Sequence, residues 1–304
     1  MKSSESGEAT RELLGRPVAD ELNRGTEERW RKQLKPELSV PCLASIAVGE
    51  GSPFHLYQRQ QKRAAEKLGL AFRGLLLSAD APRKELEATL RSLDSDPTVH
   101  GIILQHPLPP PLDFFSLISE ISATKDVDGV GEVNLGRLVE RRPLHVPAVA
   151  LATTEILRHY HIPTSGAHVV VVGRSETVGI PTALLYLGKG STGDATVTVT
   201  HSKTRGLSEI LATADIIVSC AGSPGIVHRG NVRKGATVID VGLAAVEDPN
   251  ATGGVRMAGD SDGLAGWAGN LTPVPGGVGP VTVAELLRNT VMAWELSSGL
   301  RGKV

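Results

Sequence analysis

From Glu12 to about Leu34 the apolar residues Leu13, Leu14, Val18 and Leu22 recur at helical spacing, which predicts a helix. Beyond it, short apolar runs alternate with helical patterns. Residues 42–49 (CLASIAVG) predict a strand, 57–70 a helix, 70–77 a strand, 83–93 a helix, 99–105 a strand and 112–122 a helix. A second alternation starts near residue 151. It reads as a helix over 151–162, a strand over 167–173, a helix over 179–188, and strands over 195–202, 214–222 and 235–242. A long amphipathic helix over 281–298 closes the pattern. Strand–helix–strand order on both sides of residues 147–152 predicts two α/β domains with parallel sheets and helical crossovers. Residues 1–10 are small and polar and read as a loose tail.

Composition sharpens the core. Hydrophobic residues make up 40% of the 304, aromatics only 3%, and there are 34 glycines. The interior must therefore be Ala, Val, Leu and Ile, which suits buried parallel strands. Few aromatics argue against stacking platforms for single-stranded nucleic acid. A net charge of −1 gives no electrostatic reason to bind nucleic acid or an anionic membrane. Cys42 and Cys220 lie far apart in apolar runs and read as buried free thiols of a reducing compartment. No apolar run reaches the length of a membrane span, and the opening MKSSESGEAT lacks the apolar segment of a signal peptide. The expectation is a soluble, cytoplasmic protein. No ligand spacing supports a metal site.

The second half carries a candidate dinucleotide site. A run of valines ends at Gly173, and the loop Gly173-Arg174-Ser175-Glu176-Thr177-Val178-Gly179 leads into a helix that contains Pro181. Strand, loop and helix in this order place phosphates on a helix N-terminus. The spacing is not G-x-G-x-x-G, and a tight turn requires glycine for backbone reasons alone. The next strand adds discrimination. An NAD site usually carries Asp or Glu at its end, to hold the ribose 2′-hydroxyl. Here the strand ends His201-Ser202-Lys203-Thr204, with Arg174 available from the first loop. Cations and hydroxyls suit a 2′-phosphate, which favours NADP, although a solvated basic loop would read the same way. Ala221 and Gly222 in AGSPG, and Gly242 in DVG, supply strand ends a cofactor could approach.

Several segments together resemble the bifunctional methylenetetrahydrofolate dehydrogenase/methenyltetrahydrofolate cyclohydrolase family: KDVDG (125–129), NLGRL (134–138), GRSETVGIP (173–181), ATVTVTHSKT (195–204) and TPVPGGVGPVTVAELL (272–287). They occur in the family's order, and the resemblance runs from about residue 11 to the end. It implies a folate-binding catalytic domain over 11–150, a Rossmann-type NADP domain over 151–280 with a cleft between the two, and a helix (281–304) returning to the first domain. It also implies a homodimer, with tetrahydrofolate derivatives as substrates. By the same resemblance Tyr57 flanks the pterin and the one-carbon centre. Gln105 orients the catalytic lysine, and Asp128 hydrogen-bonds the pterin's amino edge. Pro275, Gly276 and Gly277 wall the cleft.

The chain departs from the family where the hydrolytic half-reaction is run. The family's lysine lies four residues after the tyrosine, on the same helical face. That position is Gln61. Lys62 is adjacent, but one step along a helix turns a side chain by about 100°. Glutamine has no titrating proton, so general acid–base catalysis at this position is lost. Phe54 replaces a family serine, His106 replaces a leucine, the PCTP segment reads Pro147-Ala148-Val149-Ala150, and GDVDF reads Gly259-Asp260-Ser261-Asp262-Gly263. His55 and His106 are candidate replacement acid–base groups, or ordinary packing histidines. The expected function is NADP-dependent oxidation of 5,10-methylenetetrahydrofolate to the methenyl compound, with cyclohydrolase weakened or absent. The alternatives are a repurposed folate one-carbon enzyme of specialised metabolism and a non-catalytic folate- or NADP-binding paralogue.

Overall fold

The computed structural model describes residues 9–49, 53–248 and 254–301, with 53–56 as backbone alone. In chain order the first elements are β1 (Arg11–Glu12), α1 (Gly15–Gln33), β2 (Cys42–Val48), α2 (Pro53–Leu68), β3 (Ala71–Leu77), α3 (Arg83–Ser95) and β4 (Gly101–Leu104). Then come α4 (Phe114–Ile118), α5 (Glu132–Val139), α6 (Ala148–His159), β5 (His168–Val172), α7 (Gly179–Tyr186), β6 (Thr196–Thr200) and α8 (Leu207–Ala212). The rest are β7 (Ile216–Ser219), β8 (Val227–His228), β9 (Thr237–Asp240), β10 (Ala244–Glu247), β11 (Val255–Ala258), β12 (Ser261–Asp262), β13 (Asn270–Leu271) and α9 (Val278–Ser297).

The chain forms two compact units. One comprises Ala19–Ala148 and the chain from Val283 onward. Its sheet is parallel, in the order β3-β2-β4, with Leu43 opposite both Phe72 and Gly101. Every residue of β2 is buried because helices cover both faces. Leu43 and Ile103 pack with Trp30 of α1 and with Leu286, Leu287 and Trp294 of α9. Ala44, Ile46, Ile102 and Leu104 turn to the opposite face, toward Leu86 and Leu90 of α3. The alternation along each strand thus separates two apolar layers, and each fully buried Leu or Ile contributes about 1.5–3 kcal/mol. The C-terminal helix belongs to this unit, as the resemblance implies. The helix expected over 112–122 shrinks to α4. Asp113 caps it through Ser116 N at 2.9 Å, and the chain is tied at Ser122, whose N–H donates to Asp94 Oδ1 at 2.9 Å. α5, which opens after Gly131, is too short for its periodicity to be read from the sequence.

The other unit takes the chain up to Val18 together with Val149–Thr282. Its six-stranded sheet is parallel throughout, in the order β1-β13-β9-β7-β5-β6. Val169–Val172 of β5 are all buried, and Val170, Ile217 and Val238 join Leu211, Val227 and Ala268 in the core. The expected boundary at residue 11 is corrected here. Arg11–Glu12 pair with Asn270–Leu271, so the opening segment belongs with the second-half sheet. Two residues of strand are too few to show a period. The expected tail also ends earlier than residue 10: Thr10 Oγ1 accepts from Gly266 N at 2.7 Å and donates to Ala268 O at 2.7 Å. Residues 1–8 of that tail lie outside the described residues. Among the described residues no helix is long and apolar enough to cross a membrane.

Candidate active site

In the three-stranded unit a polar cluster sits beside the sheet. The period of two puts Ser45 on the Leu43 face of β2, buried and facing α2. On α2, Tyr57 and Gln61 are one turn apart and share a face. Gln105 follows β4 directly, and its N–H donates to Ile46 O at 2.8 Å. Ser45 Oγ donates to Gln61 Oε1 at 2.9 Å. Gln105 Nε2 donates to the same Oε1 at 3.2 Å and to Ser45 Oγ at 3.1 Å. Gln58 Nε2 reaches Ser45 O at 2.7 Å and Leu75 O at 3.2 Å, which clamps α2 onto β2 and β3. Gln61 is fully buried, and its Nε2 has no hydrogen-bond partner among the described residues. Lys62 points to solvent, with Nζ 3.8 Å from Glu66 Oε1, so it supplies no replacement charge to this cluster.

The KDVDG segment divides its labour. Lys125 Nζ donates to Asp94 O at 2.6 Å and Asp96 O at 2.8 Å. Asp126 accepts from Gly129 N, Gly131 N and Asn134 Nδ2 at 3.1, 2.8 and 2.9 Å. Both side chains are therefore absorbed in holding the loop. Asp128, partly open to solvent, is left for other chemistry. Burial pushes its carboxyl up to about 7, with the Asp126 charge adding to the effect. Tyr57 is shifted upward too, first by burial, then by Asp128, and the Gln61 amide opposes this only in part. The four expected residues Tyr57, Gln61, Gln105 and Asp128 thus form one electrostatic neighbourhood. Ser45 completes it. Sequence reasoning missed this residue, although a lone serine inside an apolar strand is a visible signal. The His106 ring packs against Phe114 with centroids 4.7 Å apart and planes tilted by 54°, and burial lowers its pKa. The side chains of Phe54 and His55 lie outside the described residues.

In the six-stranded unit the strand order reverses between β5 and β7, since β6 lies on one side of β5 and β7 on the other. The crevice beyond the carboxyl ends of such strands is where doubly wound sheets take nucleotides. Gly173 stands there at φ +132°, and a Cβ on it would lie 2.6 Å from Cys220 Sγ. Ser175 Oγ accepts from Gly179 N at 3.3 Å where α7 opens after Val178, while Pro181 is buried inside that helix. Arg174 is exposed. His201 shapes the turn after β6: its N–H donates to Thr204 Oγ1 at 2.9 Å and its Nδ1 accepts from Lys203 N at 3.1 Å. Ser202 and Lys203 are exposed, with no acidic residue adjacent to them in sequence. Ala221 N donates to Asp260 Oδ2 at 2.7 Å, and Gly242 N to Asp240 Oδ1 at 2.9 Å. Gly222 has open space around it at φ +62°. Pro275, Gly276 and Gly277 belong to this unit, where Gly277 N donates to Pro273 O at 2.8 Å in a tight turn. Cys220 is a partly buried free thiol and Cys42 a fully buried one.

Two family descriptions match the chain: tetrahydrofolate dehydrogenase/cyclohydrolase, catalytic domain, over residues 13–128, and the NAD(P)-binding domain of the same family over 147–298. The bifunctional protein FolD of Nocardia farcinica is 42% identical over 287 residues, covering 94% of this chain and 98% of that protein. Among solved structures, the Trypanosoma brucei N5,N10-methylenetetrahydrofolate dehydrogenase-cyclohydrolase, complexed with NADP cofactor and inhibitor, superposes with a TM-score of 0.89 at 35% identity. It covers 97% of this chain and 99% of its own. A 5,10-methylenetetrahydrofolate dehydrogenase of the silkworm Bombyx mori gives 0.88 at 34% identity, with 95% and 99% covered. With both domains matched in order, and relatives matched almost end to end, the chain belongs to the tetrahydrofolate dehydrogenase/cyclohydrolase family.

Proposed function

We propose that this protein oxidises 5,10-methylenetetrahydrofolate to 5,10-methenyltetrahydrofolate with NADP, and that hydrolysis of the methenyl product is weakened or lost. The observation that carries the second half is Gln61, a buried neutral amide one turn from Tyr57. A glutamine holds a donor in place but moves no proton at neutral pH, so water attack on the methenyl cation lacks its acid–base group. The oxidation requires chiefly position and cation stabilisation. Tyr57 would lie against the pterin, Gln105 and Ser45 would fix the Gln61 amide, and Asp128 would take the pterin's amino edge. Pro275, Gly276 and Gly277 would supply close backbone. NADP, when bound, supplies the hydride acceptor. The β5–α7 loop fits it: Gly173 leaves no side chain at the crossing, and Arg174, Ser202 and Lys203 offer cation and hydroxyl for a 2′-phosphate.

A second reading, a repurposed one-carbon enzyme, is favoured by residues 147–150. The family's PCTP is Pro-Ala-Val-Ala here, with Ala148 and Ala150 buried in the first turn of α6. One assay separates the readings: 5,10-methylenetetrahydrofolate with NADP or NAD, following reduced cofactor and the methenyl chromophore together. Reduced NADP with accumulating methenyl product is the expected result. Binding of NADP without turnover would move the reading to a binding protein. We also assign the protein to the cytoplasm as a homodimer, which cell fractionation and light scattering test.

A further inference from the structure

At the carboxyl ends of β7 and β9 two buried aspartates tie three segments together, and the sequence alone assigned neither a role. Asp260 is fully buried. Its Oδ2 accepts from Ser219 Oγ at 2.7 Å and Ala221 N at 2.7 Å, and its Oδ1 accepts from Ser223 N at 2.6 Å. The turn 221–223 thus takes its shape from one carboxylate that comes from a segment about forty positions further along the chain. Asp240, at the end of β9, performs the same task one layer behind. It accepts from Asp260 N at 3.0 Å, Ser261 N at 2.7 Å and Gly242 N at 2.9 Å. The two carboxylates sit so close to backbone that a Cβ on Gly242 would collide with Asp260, and one on Gly259 with Asp240. Neither aspartate has a cation beside it among the described residues. Backbone N–H groups and serine hydroxyls provide all the compensation, and such charge-assisted bonds are strong and geometrically exacting.

We infer that Asp260 is a positioning residue for the cofactor: it holds the Ala221–Ser223 turn in the one backbone arrangement that takes the dinucleotide, and Asp240 holds Asp260. This rests on the reading of the β5/β7 crevice as the NADP site. The turn follows β7 directly, on the same sheet edge as the Gly173 loop, and Gly222 presents backbone with nothing nearby to block a ligand. Asp260 itself is too deep to touch a ligand, so it acts only through the amides it holds.

The test is titration of the full-length protein with NADP by calorimetry, wild type against Asp260→Asn, together with KM for both substrates and thermal melting. Asparagine keeps the volume but turns an N–H toward one of three donors, which opens the turn. The expected result is at least a tenfold loss of NADP affinity and a matching rise in its KM, with the folate KM within twofold of wild type. A folded Asp260→Asn protein that binds NADP as wild type does would overturn the positioning role and leave the cofactor reading intact. A wild type that binds no NADP would overturn both. Should Asp260→Asn not fold, Ser219→Ala removes a single donor to Oδ2. A severalfold weaker NADP affinity is expected from it, and unchanged affinity would overturn the inference.

Discussion

Ser45 Oγ donates to Gln61 Oε1 at 2.9 Å, and with Gln105 Nε2 on the same oxygen that bond decides which end of the Gln61 amide faces Tyr57. The oxygen is saturated from the sheet side, so the N–H group, itself buried, is the end of the amide left without a partner among the described residues. Gln61 is therefore locked as a donor.

Replacing Gln61 by lysine tests what that lock costs in chemistry. An ammonium at this depth needs acceptors, and Ser45 Oγ offers one directly. Gln105 offers another once its amide turns over to present oxygen. We expect Gln61→Lys to raise the rate of methenyltetrahydrofolate hydrolysis by about 10²–10⁴-fold, the range of positioned acid–base groups, with NADP reduction little changed. The decay of the methenyl chromophore in the absence of NADP measures it. No gain would mean that the position does not control hydrolysis.

Asp128 predicts a pH dependence of definite sign. Burial raises its folded-state pKa to about 7, above the ordinary carboxylate range. The folded state therefore holds a proton that the unfolded chain releases. The stability tied to this group is fully present below the unfolded pKa and is lost as pH rises through about 7. Asp128→Asn removes this term. Its stability relative to wild type should improve from about pH 5 to pH 7 and level off above that in urea titrations. Substrate binding runs the other way, because the charged carboxylate is the better partner for an amino edge. The KM for the folate should fall as pH rises through the same range in wild type and stay flat in the variant.

Strand and helix order was legible because apolar runs of strand length alternate with 3.6-residue patterns, and β2, β3, β5 and β7 appear where those runs lie. β1 was invisible: Arg11–Glu12 carry no period, and only pairing with Asn270–Leu271 makes them a strand. At the site, Tyr57, Gln61 and Asp128 could be named from spacing and resemblance, since a helical turn and a five-residue motif are local. The roles of Ser45 and Asp260 could not be read, because they come from partners distant in sequence, Gln61 and Gln105 for one and Ala221 and Ser223 for the other.

Arg174 is exposed and lies beside the first crossing, so its removal should act on the cofactor and not on the fold. A charge-assisted hydrogen bond is worth about 1.5–3 kcal/mol, so Arg174→Ala should raise the KM for NADP about ten- to a hundredfold. The KM for NAD, which lacks the 2′-phosphate, should stay put, and the melting temperature with it. Steady-state kinetics with both cofactors check this. Equal effects on the two would show that Arg174 does not read the phosphate, and Lys203 would then be the residue to replace.

Two glycines of the same crevice should respond to alanine with the same sign but very unequal size. At Gly173 the backbone is at φ +132° and the new methyl would lie 2.6 Å from Cys220 Sγ and 2.8 Å from Cys220 O. One of those neighbours is backbone of the strand-end turn and cannot step aside, so β5 and β7 would have to separate. Overpacking of this kind typically costs about 1–3 kcal/mol, and the left-handed conformation adds about 1–2 kcal/mol. At Gly222 the φ is +62° with nothing within 4 Å of the new methyl, so only the conformational part remains. Gly173→Ala should therefore melt well below Gly222→Ala, and it should lose NADP binding at temperatures where it is still folded. Differential scanning calorimetry with and without NADP separates the two effects. A Gly173→Ala protein as stable as Gly222→Ala would mean that the Gly173 loop and the Cys220 turn do not meet in solution as they do here.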